Sequence, residues 1–209
     1  MIFIDFITLL LINMAAGLVV LAAYVTWGLG SPDQRRWAPA FGMAGLVALV
    51  AGFYMTFTWP VPGSYNSAFG EMSVLFGVIY LGLAAATAKG LDLLPVSIYS
   101  LFAGLAAVLL GVRILDLKLT QTPALSAVGF ILSGLGGVLL CVVLALRTSR
   151  AVRIAFSLVL VVAALIWAVT AYGGYWMHMK HFGQWKPSIV QMPQEQPQAG
   201  PGTEAKPGK

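Results

Sequence analysis

Stretches of about twenty predominantly apolar residues recur six times along this 209-residue chain. Each is long enough to carry a helix across a hydrocarbon layer of roughly 30 Å. Composition agrees: hydrophobic residues make up 59% of the chain and charged residues 9%, against about 45–50% and about 25% in soluble domains. So little polar surface could not keep a soluble chain dispersed. The expected fold is an all-α integral membrane bundle of about six transmembrane helices over 1–185.

The hydropathy pattern predicts helices near 3–28, 38–58, 70–88, 95–115, 124–146 and 154–178. Between them lie turn-forming strings, among them Gly30-Ser31-Pro32-Asp33, Trp59-Pro60-Val61-Pro62-Gly63-Ser64 and Thr120-Gln121-Thr122-Pro123. The first segment, from Ile2 to about Trp27, is too long for the apolar core of a cleavable signal and lacks a basic start, so it is expected to stay as a membrane helix. From 186 to 209 the chain is rich in Pro, Gln and Gly, a composition that cannot bury enough surface to offset its ordering entropy. A disordered tail is expected there. Gly104, Gly129, Gly134, Gly136 and Gly137 allow close helix approach, which holds a bundle together in lipid. The lone Cys141, inside an apolar run, is expected to pack as a small hydrophobe.

The loops after helices 1, 3 and 5 hold six basic residues: Arg35, Arg36, Lys89, Arg147, Arg150 and Arg153. Near the opposite helix ends lie four, Arg113, Lys118, Lys180 and Lys186. The positive-inside tendency then places the three basic loops in the cytoplasm and both termini outside a cell membrane. The net charge of +5 is dispersed singly or in small groups at helix ends, the pattern of lipid anchoring; no nucleic-acid partner is expected.

Alternating helix direction gathers Asp5, Trp59, Tyr65, Asn66, Glu71, Arg113, Asp116, Tyr175, His178 and His181 at one set of helix ends. An ionisable group in hydrocarbon costs several kcal/mol without a partner or water, so Asp5 and Glu71 are expected to turn inward. Arg113 and Asp116, three apart on one helix, are placed to pair. His178 and His181 share a helical face if the last helix extends that far. With carboxylates from Asp5, Glu71 or Asp116, they form a candidate metal site. Imidazole suits copper, zinc or iron, and the adjacent Met177 and Met179 suit cuprous copper. Haem is open only with His plus Met or another ligand, since two neighbours on one helix cannot reach opposite sides of the ring. The other reading of the pair is an interfacial one, bonded to headgroups and water. The aromatic, proline-containing string Trp59–Glu71 is expected to fold onto the bundle mouth, with Trp59, Tyr65, Asn66 and Arg113 in structural or lid roles.

In three strings, Asn13-Met14-Ala15-Ala16-Gly17, the Trp59–Glu71 segment and Lys89-Gly90-Leu91-Asp92-Leu93-Leu94-Pro95, the chain resembles a family of bacterial and archaeal polytopic membrane proteins known as domain of unknown function 981. The similarity runs from about Asp5 to Thr122. It implies a membrane topology and lends no activity.

Walker loops, nucleophile elbows, H-E-x-x-H and C-x-x-C motifs are missing, and no span carries an arginine ladder. The leading expectation is a non-catalytic or accessory subunit of a larger redox or metal-dependent membrane complex, joined to other membrane subunits or to its own copies. Two alternatives are a small transporter or permease for protons, metal ions or small solutes, and a metal-dependent membrane enzyme.

Overall fold

The computed structural model describes residues 5–181, and side chains through Lys180. Every regular element among them is helical: α1 (Phe6–Ala23), continued by a π-turn over Tyr24–Gly28; a 3₁₀ turn at Arg35–Trp37 leading into α2 (Ala38–Thr58); a π-turn over Asn66–Glu71 leading into α3 (Met72–Lys89); then α4 (Leu94–Leu117), α5 (Pro123–Ala145) and α6 (Arg150–His181). Six spans long and apolar enough to cross a membrane result. A span of 24 residues measures about 36 Å at about 1.5 Å per residue. The expected tail, 186–209, lies outside the described residues.

Local chemistry sets the boundaries. Prolines occupy the first turns of α2, α4 and α5, where a missing N–H costs nothing. Gly90 closes α3 in the left-handed region at φ 66°. Asp5 caps α1, its Oδ1 accepting from the Thr8 backbone N–H at 3.2 Å.

The packing inverts the soluble pattern. Phe102, Leu109, Val50 and Phe57 point outward, whereas Ala44, Ala48, Ala51, Ala107, Ala127 and Ala163 are buried. Large apolar groups face lipid, and small ones let backbones approach. α4 and α5 form the tightest pair: a methyl group added at Gly104 would lie 2.5 Å from the Gly134 carbonyl oxygen, and one at Gly134 would lie 2.6 Å from that of Gly104. α2 and α3 repeat the device through Gly45, Gly52 and Gly77. The glycines read from sequence as packing residues therefore act as such.

Polar side chains stitch the remaining helices. Asn13 Nδ2 donates to the Ala44 carbonyl at 2.9 Å, tying α1 to α2. Gly17 lies against Phe76 and Tyr80 of α3. Ser100 donates to the Gly137 carbonyl at 2.9 Å, and Trp167 Nε1 to Ser133 Oγ at 2.9 Å. α1 and α6 run antiparallel side by side. The hydroxyls of Thr26 and Ser157 stand 2.9 Å apart and converge on the Ala22 carbonyl, and twenty-one residues along each helix Asp5 meets His178.

Candidate functional site

The Asp5 face is built from the start of α1, the ends of α2, α4 and α6, and the turns that open α3 and α5. Its best-made part is the 59–71 segment. Trp59 adopts the left-handed conformation at φ 47°, which ends α2 and turns the chain back. Asn66 then clamps the return. Its Nδ2 donates to the Val61 and Gly63 carbonyls and its Oδ1 accepts from the Val61 N–H, with the side chain fully buried. Val61 and Tyr65 pack against the core. Val61 and Tyr65 thus bring the segment down on the core, while Trp59 and residues 62–64 stay exposed.

The π-turn after it decides where Glu71 goes. Phe69 drives inward to Phe130 and Trp167, with ring centroids 5.3 Å and 6.4 Å away. Gly70 presses on Met55 of α2. A residue two places beyond Phe69 points to the other side of the helix, and Glu71 is exposed. The expectation that Glu71 turns inward is therefore corrected: the aromatic anchor two residues earlier fixes the rotation.

Asp5 does turn in. Its side chain is 14% exposed and its Oδ2 contacts His178 Nδ1, while the histidine side chain is 48% exposed. Asp5 thereby caps its own helix and holds the end of α6. The helix continues through His181, which meets the condition set for the i, i+3 spacing of the two histidines; the side chain of His181 lies outside the described residues. Arg113 and Asp116 pair on α4 at 2.5 Å, both more than half exposed. Tyr175 is exposed near the end of α6.

The candidate ligands thus divide. Asp5 and His178 stand together, Asp116 is paired on α4, and Glu71 is on the α3 flank. Among the described residues no three His, Cys, Asp or Glu side chains gather where they could hold a metal ion. Two donors fall short of the four that zinc takes, so the described part of the rim supplies at most the beginning of such a centre.

Sequence reasoning missed a crevice of about 80 Å³ within the bundle, lined by Phe76, Tyr80, Gly104, Gly134, Gly137 and Trp167 among others. Its polar groups include the Tyr80 hydroxyl, buried without a hydrogen-bond partner among the described residues, and the serines at 100 and 133. The lining includes no carboxylate or imidazole, so its walls offer an ion no charged ligand. No sequence signal marks it, because it arises where α3 stands away from the tight α4–α5 pair. Cys141 is a free thiol with Sγ 3.2 Å from Ser97 Oγ, packed between α4 and α5.

No curated protein and no solved structure matches the chain. A family profile does, over residues 1–181, and so reaches past the Asp5–Thr122 similarity seen in sequence to include both histidines. This integral membrane chain belongs to the family described as "Protein of unknown function (DUF981)".

Proposed function

We propose that the protein is a non-catalytic, accessory component of a larger membrane assembly, with the Asp5 face as its docking rim. The supporting observation is Glu71. It is a carboxylate exposed on the α3 flank at the bundle mouth, with no hydrogen bond or ion pair to another described side chain. At the edge of a bilayer such a group is costly unless water or a cation meets it, and a neighbouring subunit's basic residue is the partner its position suits. Three other features of the rim are already engaged within this chain: Asp5 contacts His178, Arg113 pairs with Asp116, and Asn66 holds its loop.

The assembly is redox or metal-dependent in this reading. Asp5 and His178 contribute two donors to a copper, zinc or iron ion, and the partner supplies the rest. The Asp5 face is extracytoplasmic, as the greater number of basic residues on the other face supports.

The test is isolation from native membranes in mild detergent, followed by chemical cross-linking. The expected result is a stable species well above the 22.2 kDa of one chain, containing a different subunit and weakened by Glu71→Gln. A monomer that carries no stably bound subunit would overturn the reading.

A further inference from the structure

The crevice within the bundle is partly open and almost wholly apolar. α3 lines it with Leu75, Phe76 and Ile79, which stay half-buried, and α4 with Ala103 and Ala107, which are buried. The two helices come close near their connection, where a methyl group added at Gly82 would lie 3.3 Å from Val96. Further along, α4 turns its glycines to α5: Gly104 meets Gly134, and Gly111 meets Ala127. The methyl groups of Ala103 and Ala107 are too short to close the gap that remains beside α3.

The crevice lies deep in the membrane. Gly104 and Gly134, both on its wall, stand within two residues of the middles of their spans. In a hydrocarbon core roughly 30 Å thick this is the level at which the chain ends of the two leaflets meet, about 15 Å from either edge.

Three kinds of occupant can be compared. A buried water takes about two to four polar partners, and the polar side chains of the wall have little to offer it. Ser100 donates to the Gly137 carbonyl, Ser133 accepts from Trp167, and the Tyr80 hydroxyl is itself covered. Left unfilled, the walls would forfeit dispersion contacts. Among apolar occupants, volume decides. About 80 Å³ is roughly half of the ~150 Å³ cavity that holds a benzene ring, so a ring is too wide to enter fully, whereas the end of a hydrocarbon chain is not.

We infer that the crevice is a binding site for one acyl chain of a surrounding phospholipid, whose terminal carbons enter beside Leu75 and Ile79, pass Ala103 and Ala107, and reach Trp167. The chain supplies the packing between α3 and the α4–α5 pair that side chains leave undone.

Trp167 makes the site readable. It lines the crevice, is 1% exposed, and lies near the middle of its span. Trp27, Trp37, Trp59 and Trp176 stand at or near span ends, and Trp185 follows the last span. The experiment places the full chain in phosphatidylcholine vesicles whose acyl chains carry bromine, which quenches tryptophan on contact, either beside the terminal methyl or close to the headgroup. The signal is the emission that Trp167→Phe removes. Terminal bromines should lower it about two-fold or more, because a bromine in the crevice comes within van der Waals range of the indole; bromines near the headgroup should leave it unchanged. Ala103→Leu, which fills the crevice from its wall, should restore the emission. No loss with terminal bromines would overturn the inference. So would an equal loss in the wild type and Ala103→Leu, because bulk lipid would then be reaching Trp167 by another way. If Ala103→Leu does not fold, Ala107→Leu, one turn along the same wall, takes its place with the same two outcomes.

Discussion

Replacing Gly104 by alanine should pry α4 from α5. The added carbon would sit 2.5 Å from the Gly134 carbonyl oxygen and 2.7 Å from the Val138 backbone nitrogen. Both are backbone atoms that no rotamer change can move aside. Reaching an ordinary contact of about 3.4 Å needs a separation of about 0.9 Å, and a gap of that size forfeits a quarter to a half of each neighbouring dispersion contact. One turn away, Ser100 donates to the Gly137 carbonyl at 2.9 Å; the same shift would carry it beyond hydrogen-bonding reach. Overpacking costs about 1–3 kcal/mol and the hydrogen bond about 1. Removing glycine from a helix returns about 0.8. The net expectation is a loss of about 2 kcal/mol. Thermal unfolding in one detergent measures it, and the lone Cys141, 3.2 Å from Ser97 across the same seam, reports the opening through faster maleimide labelling. Gly173→Ala is the control, since nothing lies within 4 Å of its added carbon. If Gly104→Ala unfolded like the wild type with Cys141 labelled no faster, the close-packing argument would be refuted.

Asn66→Ala should destabilise the protein by about 2–3 kcal/mol, because it leaves the Val61 N–H and the Val61 and Gly63 carbonyls short of partners; proteolysis between residues 59 and 66 should quicken, and an unchanged cleavage rate would argue against the clamp. A double-mutant cycle of Asp5→Asn with His178→Ala should return a coupling of about 0.5–1 kcal/mol, reduced from a buried value because the histidine is half exposed; a coupling of zero would mean that the two helix ends are not joined. Trp167→Phe should cost about 1 kcal/mol through the bond to Ser133, read as a lower unfolding temperature that Ser133→Ala does not lower further. Elemental analysis of the isolated chain should find well under one equivalent of copper, zinc or iron, as Asp5 and His178 bring only two donors together; a full equivalent, lost in a His178→Ala, His181→Ala variant, would show that the chain completes a metal centre alone.

The helices were legible because lipid imposes a simple rule: twenty apolar residues, then a turn. The limits of α2 match the expected 38–58 to the residue, since Pro39 and Trp59 mark both ends. The third span begins at Asn66, earlier than the expected 70, because Asn66–Glu71 winds as a π-turn ahead of α3, which hydropathy does not distinguish from loop. The contents of the rim were legible too, and the Arg113–Asp116 pair followed from spacing alone. Convergence was not. Glu71 lies in the expected end of the bundle but faces out, because its direction is set by where Phe69 finds Phe130 and Trp167, residues some sixty and one hundred positions away. Likewise the Asn13 and Ser157 bonds join helices through single hydroxyl or amide groups in apolar runs. Such groups look the same in sequence whether they face a partner or lipid.

The pairing of α1 with α6 has a consequence for how the protein is made. α1 is the first of the six helices to leave the ribosome and α6 the last. At about 5–20 residues per second, the interval between the emergence of Thr26 and of Ser157 is on the order of ten seconds. During it, Asp5 lacks its histidine and Thr26 its serine, at either end of a helix already in the bilayer. Assembly therefore completes only with the last span, and a chain stalled before Ser157 would leave its first helix with polar groups facing lipid, open to recognition by quality-control proteases as unfinished.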